Sequence, residues 1–270
     1  MRSSLLRFSE ILNDPDVSAV LEDKYATYLQ FRAHFGREVV FFGGGDGELA
    51  AATGFAERHP AFFAKPLSGY GGRGTRLFRA ADLPPGGLAG ALREMAPCIL
   101  EEPIVQHPST AAFHPASLNT VRVATLSAGT PEATEVWFAF LRTGRGGSVV
   151  DNTSSGGVFA PVNPATGTVC GDAHDWGGET YAAHPDTGTP FRGFAIPFWA
   201  EMAAAARELA LELPGCRYVA WDFAATPRGA VLVEANGHGG LSMLQTGRAT
   251  GLRGECERIL RLWASRGALP

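Results

Sequence analysis

Hydrophobic positions along this chain switch repeatedly between helical spacing and strand alternation, and Gly or Pro punctuates most of the changes. Residues 4–12 and 17–35 carry helical periodicity, the second run closing on Gly36. "EVVFF" (38–42) predicts a strand, "GGGDG" a turn, and "ELAAATGFAERH" a helix halted by Pro60. "AFFAK" and "TRLFR" predict strands around a glycine-rich loop, and a short helix at 87–95 precedes the strand "CILEEPIV". "LNTVRVATLS" and "ATEVWFAFLRT" predict a hairpin across "AGTPE", and "GGVFAPVN" and "TVCGD" another across "PATG". A helix over "PFWAEMAAAARELALEL" ends at Pro214-Gly215, "RYVAWDFAA" and "GAVLVEAN" form a further hairpin, and a helix at 253–265 follows. The order predicts an α+β protein with mostly antiparallel strands. No repeat and no Pro-, Ser- or charge-rich linker divides it, so a single two-lobed unit is expected.

The stretch "AFFAKPLSGYGGRGTRLF" (61–78) contains Gly69-x-Gly71-x-x-Gly74, the letters of a dinucleotide-binding fingerprint. That fingerprint opens a helix, whose N-terminus receives the pyrophosphate. Here the glycines run into "TRLF", a strand. No Lys-Ser or Lys-Thr follows Gly74, so the Walker pattern fails too. What remains is strand, glycine loop and strand, with Lys65 just before the loop.

In "RYVAWDFAATPRGAVLVEANG" (217–237), a three-residue loop Pro227-Arg228-Gly229 pairs Thr226 with Ala230. Counting outward sets Asp222 opposite Glu234, with Asn236 on the same face. Trp221, Phe223, Val231 and Val233 take the other, buried face. Facing carboxylates repel by about 0.2–1 kcal/mol on an exposed sheet, and more when desolvated. Two carboxylates and an amide oxygen suit Mg²⁺, which removes that repulsion. A plain solvated hairpin face, with the acids spread apart in water, accounts for the same letters. The "GHGG" after Asn236 favours a site, because it lets backbone approach a ligand closely.

Composition narrows the class. Of 270 residues 45% are apolar, enough for a sizeable core, and a formal net charge of −4 gives no reason to expect a polyanionic partner such as nucleic acid. Cys98, Cys170, Cys216 and Cys256 are far apart with no C-x-x-C pair, as expected of structural thiols in a reducing compartment. The first residues carry acids and no long apolar run, which excludes a signal peptide, and no stretch suits a bilayer span. A cytoplasmic protein is expected.

Taken in order, "LEDKYATYLQF", "FFAKPLSGYGGRGTRLF", "CILEEPIVQH", "SLNTVRVATL", "VVDNTSSGGVFAPVNPATG", "HPDTGTPFRGFAIPFW" and "YVAWDFAATPRGAVLVEANG" resemble the ATP-grasp superfamily, most closely its sugar-transfer-associated branch. The resemblance runs from about Lys24 to Gln245. It implies an ATP-grasp fold of two α+β lobes with the nucleotide held between them, lacking a full N-terminal pre-ATP-grasp domain. Residues 1–20 would then be a helical extension and 21–265 the ATP-grasp domain. Its smaller lobe (about 38–103) carries the glycine flap, and its larger lobe (about 104–265) the metal site.

By the same resemblance, Lys24 and Lys65 contact the nucleotide phosphates, and Gly69, Gly71, Gly72 and Gly74 belong to a flap folding over them. Backbone N–H groups of such a turn cradle anionic oxygens, and a lysine adds a point charge. "LEEPIV" resembles the hinge that meets the adenine, with Glu101 or Glu102 near the ribose; adjacent strand residues point to opposite faces, so one of the two is expected to reach it. Arg122 and Arg142 match positions that hold an acyl phosphate or substrate carboxylate, with a surface arginine the competing account, more so for Arg142. Asn152 matches a loop beside the γ-phosphate, while Asp151 suits a turn cap. Asn119 stands near a related ribose or metal position, displaced by one residue. Asp222, Glu234 and Asn236 are the implied Mg²⁺ ligands. His238 suits either a substrate contact or a turn, His107, His114 and His184 suit loops, and His174-Asp175-Trp176 is available to line a substrate entrance.

The resemblance implies an ATP-dependent carboxylate–amine ligase forming an amide through an acyl phosphate with Mg²⁺. Its partners would be a small carboxylate and an amine, including a peptide or sugar-linked acceptor, with a homodimer or a biosynthetic partner protein among the options. Two alternatives stay open: an ATP-grasp kinase acting on a small-molecule hydroxyl, and a non-catalytic ATP-binding module of a biosynthetic complex.

Overall fold

Two aspartates decide how the chain begins. A helix α1 spans Arg2–Leu12. Asp14 then caps α2 (Pro15–Ser18), accepting the N–H of Asp16 at 2.9 Å. Asp23 caps α3 (Lys24–Gln30), accepting the N–H groups of Tyr25 and Ala26 at 2.7 and 2.9 Å. The continuous helix expected over 17–35 is therefore broken, because a carboxylate that satisfies N–H groups starts a new helix. A further turn, α4 (Arg32–Phe35), stops at Gly36, whose φ of 59° is the left-handed conformation expected there. The computed structural model describes residues 2–69, 71–84, 86–248, 250–265 and 267. It divides into two units, Glu22–Val105 and Met1–Leu21 with Gln106–Pro270.

The smaller unit continues with β1 (Val39–Phe42), α5 (Asp46–Arg58), β2 (Ala61–Pro66), β3 (Arg76–Arg79), α6 (Gly87–Arg93) and β4 (Cys98–Glu101). Its strands order β1-β4-β2-β3, all antiparallel. Phe42, Phe62, Ala64, Phe78, Cys98 and Leu100 pack with Ala52 and Phe55 of α5 and Leu92 of α6. The alternate residues Phe63, Lys65 and Glu101 take the other face. The strand expected over "CILEEPIV" ends at Glu101, ahead of Pro103, which has no N–H to extend a ladder.

The larger unit resumes with α7 (Pro108–Ala111), β5 (Thr120–Ser127), β6 (Thr134–Thr143), β7 (Val158–Asn163), β8 (Thr168–Val169), β9 (Ala173–His174) and β10 (Thr180–Tyr181). After α8 (Trp199–Leu211) come β11 (Tyr218–Thr226), β12 (Gly229–Asn236), α9 (Leu241–Arg248) and α10 (Arg253–Ser265). The sheet orders β10-β9-β7-β6-β5-β11-β12, with β8 on β7. Phe138, Phe140, Phe159, Ala220 and Tyr218 on one sheet face pack with Phe8 and Leu12 of α1, Met243 and Leu244 of α9, and Ile259 and Trp263 of α10. The segment expected as an N-terminal extension is thus part of this core. α9, absent from the pattern reading, follows "GHGG" directly and presents few periodic apolar positions.

The β11–β12 hairpin corrects one expectation and keeps another. Its loop is the two residues Pro227-Arg228, with Thr226 paired to Gly229 rather than Ala230. A bulge at Val233 then restores the lost residue, so Asp222 faces Glu234 as expected. Because the bulge shifts the alternation, Leu232 and Ala235 are buried, whereas Val231 and Val233 are half-buried.

Candidate functional site

One sheet face of the larger unit gathers charge in a row. Asp222 lies directly opposite Arg122 of β5 and directly opposite Glu234 of β12. Arg122 grips it as a fork, Nε to Oδ1 at 2.7 Å and Nη2 to Oδ2 at 2.6 Å. Arg142 of β6 donates Nη1 to the same Oδ2 at 2.7 Å and Nη2 to Asp151 at 3.0 Å. Asp151 in turn accepts the backbone N–H of Thr120 at 3.1 Å and the Thr120 hydroxyl. At the far end Asn236 donates its amide to Glu234 Oε1 at 3.4 Å, and that oxygen stands 3.9 Å from Arg122 Nη2.

Burial makes these charges consequential. Asp222 is 1% exposed and Arg142 3%, while the Glu234 side chain is 37% exposed. Burial alone would raise the Asp222 carboxyl, but Arg122 and Arg142 outweigh it and hold it far below the ordinary range. Glu234 goes the other way: burial and the Asp222 charge raise it, against the weaker pull of the arginines. Asp151 is raised by burial despite Arg142 and Thr120. Arg142, expected to hold substrate, has both Nη groups on acids and therefore orients Asp222. It is not the surface arginine of the competing account either.

Among the described residues no group of three or more His, Cys, Asp and Glu side chains is placed to hold a metal. The donors here are two carboxylates and an amide oxygen, hard ligands that suit Mg²⁺. They are unequal. Asp222 already has two guanidinium counter-charges, whereas Glu234 bears the repulsion that a cation would remove. Glu234 and Asn236 fit the ion best, with Asp222 beside them.

In the smaller unit Lys65 forms an ion pair with Glu101, which is 4% exposed. Arg37 reaches the other Glu101 oxygen with Nη2 at 2.8 Å and Nε at 3.1 Å. Burial is overcome by these two cations, and the Glu101 carboxyl is held at about 2. Both oxygens are engaged, so Glu101 fixes Lys65 in place and is not turned toward a ribose. Glu102, just past the end of β4, accepts the Glu38 N–H at 3.4 Å. The glycine loop joins two strands, as the flanks predict. Gly69, Gly71, Gly72 and Gly74 have φ of 113°, 73°, 70° and 76°, and a Cβ on Gly74 would stand 2.9 Å from Pro66 Cγ. Lys24 donates Nζ to Gly69 O at 3.0 Å and its backbone N–H to Leu67 O at 2.9 Å. Lys24, at the start of α3, is therefore tied to the loop that follows Lys65 of β2.

Of the remaining candidates, Asn119 is buried and donates its amide to Gln106, Thr110 and His114, a structural role rather than a ribose or metal contact. Asn152 precedes a short turn, its carbonyl accepting from Ser155 and Gly157 at 2.9 and 3.1 Å. His238 bonds Ser9 of α1 at 2.9 Å. His107 caps α7, and His114 and His184 accept or donate within loops. Sequence reasoning gave Asp151 only a turn role and passed over Arg37; their partners lie on other strands, where no local spacing signals them.

A family model described as sugar-transfer associated ATP-grasp matches residues 86–261. The chain belongs to the sugar-transfer associated ATP-grasp family. No curated protein matches its sequence significantly. Among solved structures it is similar to the ATP-grasp ligase PsnB complexed with its minimal precursor: TM-score 0.55 at 15% identity, over 95% of this chain and 68% of that one. It is similar to D-alanine–D-alanine ligase from Bacillus anthracis, with TM-score 0.55 at 10% identity, over 95% of this chain and 71% of that one. A third is N5-carboxyaminoimidazole synthase from Aspergillus clavatus in complex with ADP and 5-aminoimidazole ribonucleotide, with TM-score 0.52 at 11% identity over 84% and 46%. PsnB is also known with Mg and ADP, and with precursor peptide PsnA2 and AMPPNP. At these identities the likeness establishes the shared ATP-grasp fold. No helix of the described residues is long and apolar enough to cross a membrane.

Proposed function

We propose that this member of the ATP-grasp family is an ATP-dependent ligase that joins a carboxylate to an amine through an acyl phosphate. Membership of the family supports ATP as co-substrate, and the relatives solved with ADP, AMPPNP and Mg support a magnesium nucleotide. The observation that carries the reading is the pairing of Asp222 with Glu234 on one face, where the Asp222 charge opposes that of Glu234 and a cation would relieve the repulsion. Glu234, Asn236 and Asp222 would hold Mg²⁺, which supplies charge neutralisation on the transferring phosphoryl group.

The chain's own groups divide the remaining work. Lys65, held by Glu101, contributes positive charge toward phosphate, and Arg37 leaves the trio with a net positive charge. Lys24 and the glycine loop contribute donors to the same phosphates. Arg122 and Arg142 keep Asp222 ionised and oriented, and Asp151 and Thr120 keep Arg142 in register. Asn152 remains assigned to the γ-phosphate side of the site. The acceptor includes small amines and peptides, the latter because PsnB was solved with a precursor peptide.

An ADP-release screen of acids crossed with amines, read by product mass, tests this. A ligase releases ADP only when acid and amine are both present and yields their amide. ADP release with an alcohol alone would instead establish a kinase.

A further inference from the structure

We propose that a cavity in the larger unit is a substrate side-chain subsite, taking a neutral and mainly apolar group no larger than about a benzene ring. It rests on the reading that the Asp222–Glu234 face is the reacting centre. The cavity measures about 150 Å³ and is lined by Phe159, Asp175, Trp176, Ser242, Met243 and Thr246. An apolar cavity of roughly that volume accommodates benzene.

Two connections set it beside the charged row. Phe159 of β7 lies directly opposite Arg142, whose guanidinium holds Asp222. Neighbouring strands are about 5 Å apart, so the cavity begins one strand from Arg142. On the other side α9 starts immediately after Gly240, where a Cβ would stand 3.4 Å from Arg122 Cδ. Ser242, Met243 and Thr246 are all on α9.

The lining sets the chemistry. Phe159 and Met243 are buried apolar walls, and Trp176, 52% exposed, forms a rim. Asp175 is the acid among the lining residues, and its charge is already answered. One oxygen accepts the Glu179 N–H at 3.0 Å, and the other accepts the Tyr181 hydroxyl at 3.1 Å with Arg145 at 3.5 Å. A substituent carrying a full charge would therefore find no unanswered counter-charge among the lining residues. A neutral group gains the aromatic and thioether walls, with the Ser242 and Thr246 hydroxyls as its polar neighbours. The substituent belongs either to the acid or to the amine, and the two are separable by experiment.

Ligand-observed NMR on the full chain with benzyl alcohol, benzylammonium and benzoate tests the site. Benzyl alcohol is expected to bind at least about tenfold more tightly than either charged isostere, and Thr246→Trp, which fills the cavity, to abolish that binding without changing thermal unfolding. Trp176→Ala gives a second reading if Thr246→Trp fails to fold, and weakens benzyl alcohol binding. Binding unchanged in the folded variants, or preference for a charged isostere, would overturn the proposal.

In ADP release, Thr246→Trp is expected to lower kcat/KM about tenfold or more for benzyl-bearing substrates and to spare methyl-bearing ones. The series showing this, acids or amines, identifies which substrate enters. Turnover with no such discrimination in either series overturns the assignment. If no acid–amine pair releases ADP, the ligase reading falls, and the binding measurements alone decide the cavity.

Discussion

Asp222 and Glu234 stand directly opposite each other on β11 and β12, yet their carboxyls are driven in opposite directions, Asp222 down by two arginines and Glu234 up by burial and by Asp222 itself. The two acids should therefore respond differently to loss of charge. Asp222→Asn leaves Arg122 and Arg142 with a missing counter-charge in a buried setting and is expected to cost about 3–5 kcal/mol. Glu234→Gln removes an ionised group that repels its neighbour, so at neutral pH without Mg²⁺ it should be neutral or slightly stabilising, within about 0.5 kcal/mol. Denaturant unfolding checks both. Equal losses would mean that Glu234 is also a structural acid.

Magnesium should displace a proton. Burial and the Asp222 charge raise the Glu234 carboxyl, and a bound cation requires its ionised form. Calorimetry in two buffers of different ionisation enthalpy should detect proton release on Mg²⁺ binding, and the release should decline as pH rises. Glu234→Gln should show none. Release that survives in Glu234→Gln would locate the proton elsewhere.

Arg142→Lys tests the fork joining Asp222 to Asp151. A lysine is a single point of charge and does not hold two acids in a fixed geometry. The variant should lower kcat on the order of a hundredfold while leaving the KM for ATP nearly unchanged, because Asp222 is misplaced and phosphate contacts are not. A change confined to the KM for the carboxylate would restore Arg142 as a direct substrate contact.

Lys65 and Glu101 predict a pH effect separate from nucleotide binding. Lys65→Ala should weaken ATP affinity by about ten- to a hundredfold, the range of one charge-assisted hydrogen bond, as followed with a fluorescent ATP analogue. Glu101 falls from an ordinary 4.5 to about 2 in the folded chain. Its stabilisation is present above 4.5 and is lost as pH falls from there toward about 2. Acid unfolding of Glu101→Gln should lack that component. An unaltered acid profile would show that Arg37 and Lys65 do not depend on it.

Most elements were legible because their apolar positions keep one period for the length of a helix or strand. The α10 boundaries and the β5–β6 hairpin follow directly from such runs. The break at Asp23 was missed because a cap is a local contest between side chain and helix, and periodicity continues across it. The Asp222–Glu234 pairing came out right although the loop was one residue too long, since the bulge at Val233 compensates. The partners of Arg142, though not the residue itself, lay beyond sequence reasoning for another reason. They are 80 and 9 residues away: the strand order β6-β5-β11 brings Asp222 to Arg142, and Asp151 comes from the irregular segment after β6.

The opening helix has a practical consequence for protein engineering. Asn13 donates to the carbonyls of Tyr218 and Gly237 at 2.8 and 2.9 Å and accepts the Tyr218 N–H at 3.0 Å, while Ser9 holds His238. These bonds splint the turn that leaves β12 immediately after Asn236. A shortened version starting at Lys24 would keep every residue of the acid row and lose the splint, so trimming the front of the chain would be felt at a place more than two hundred positions away.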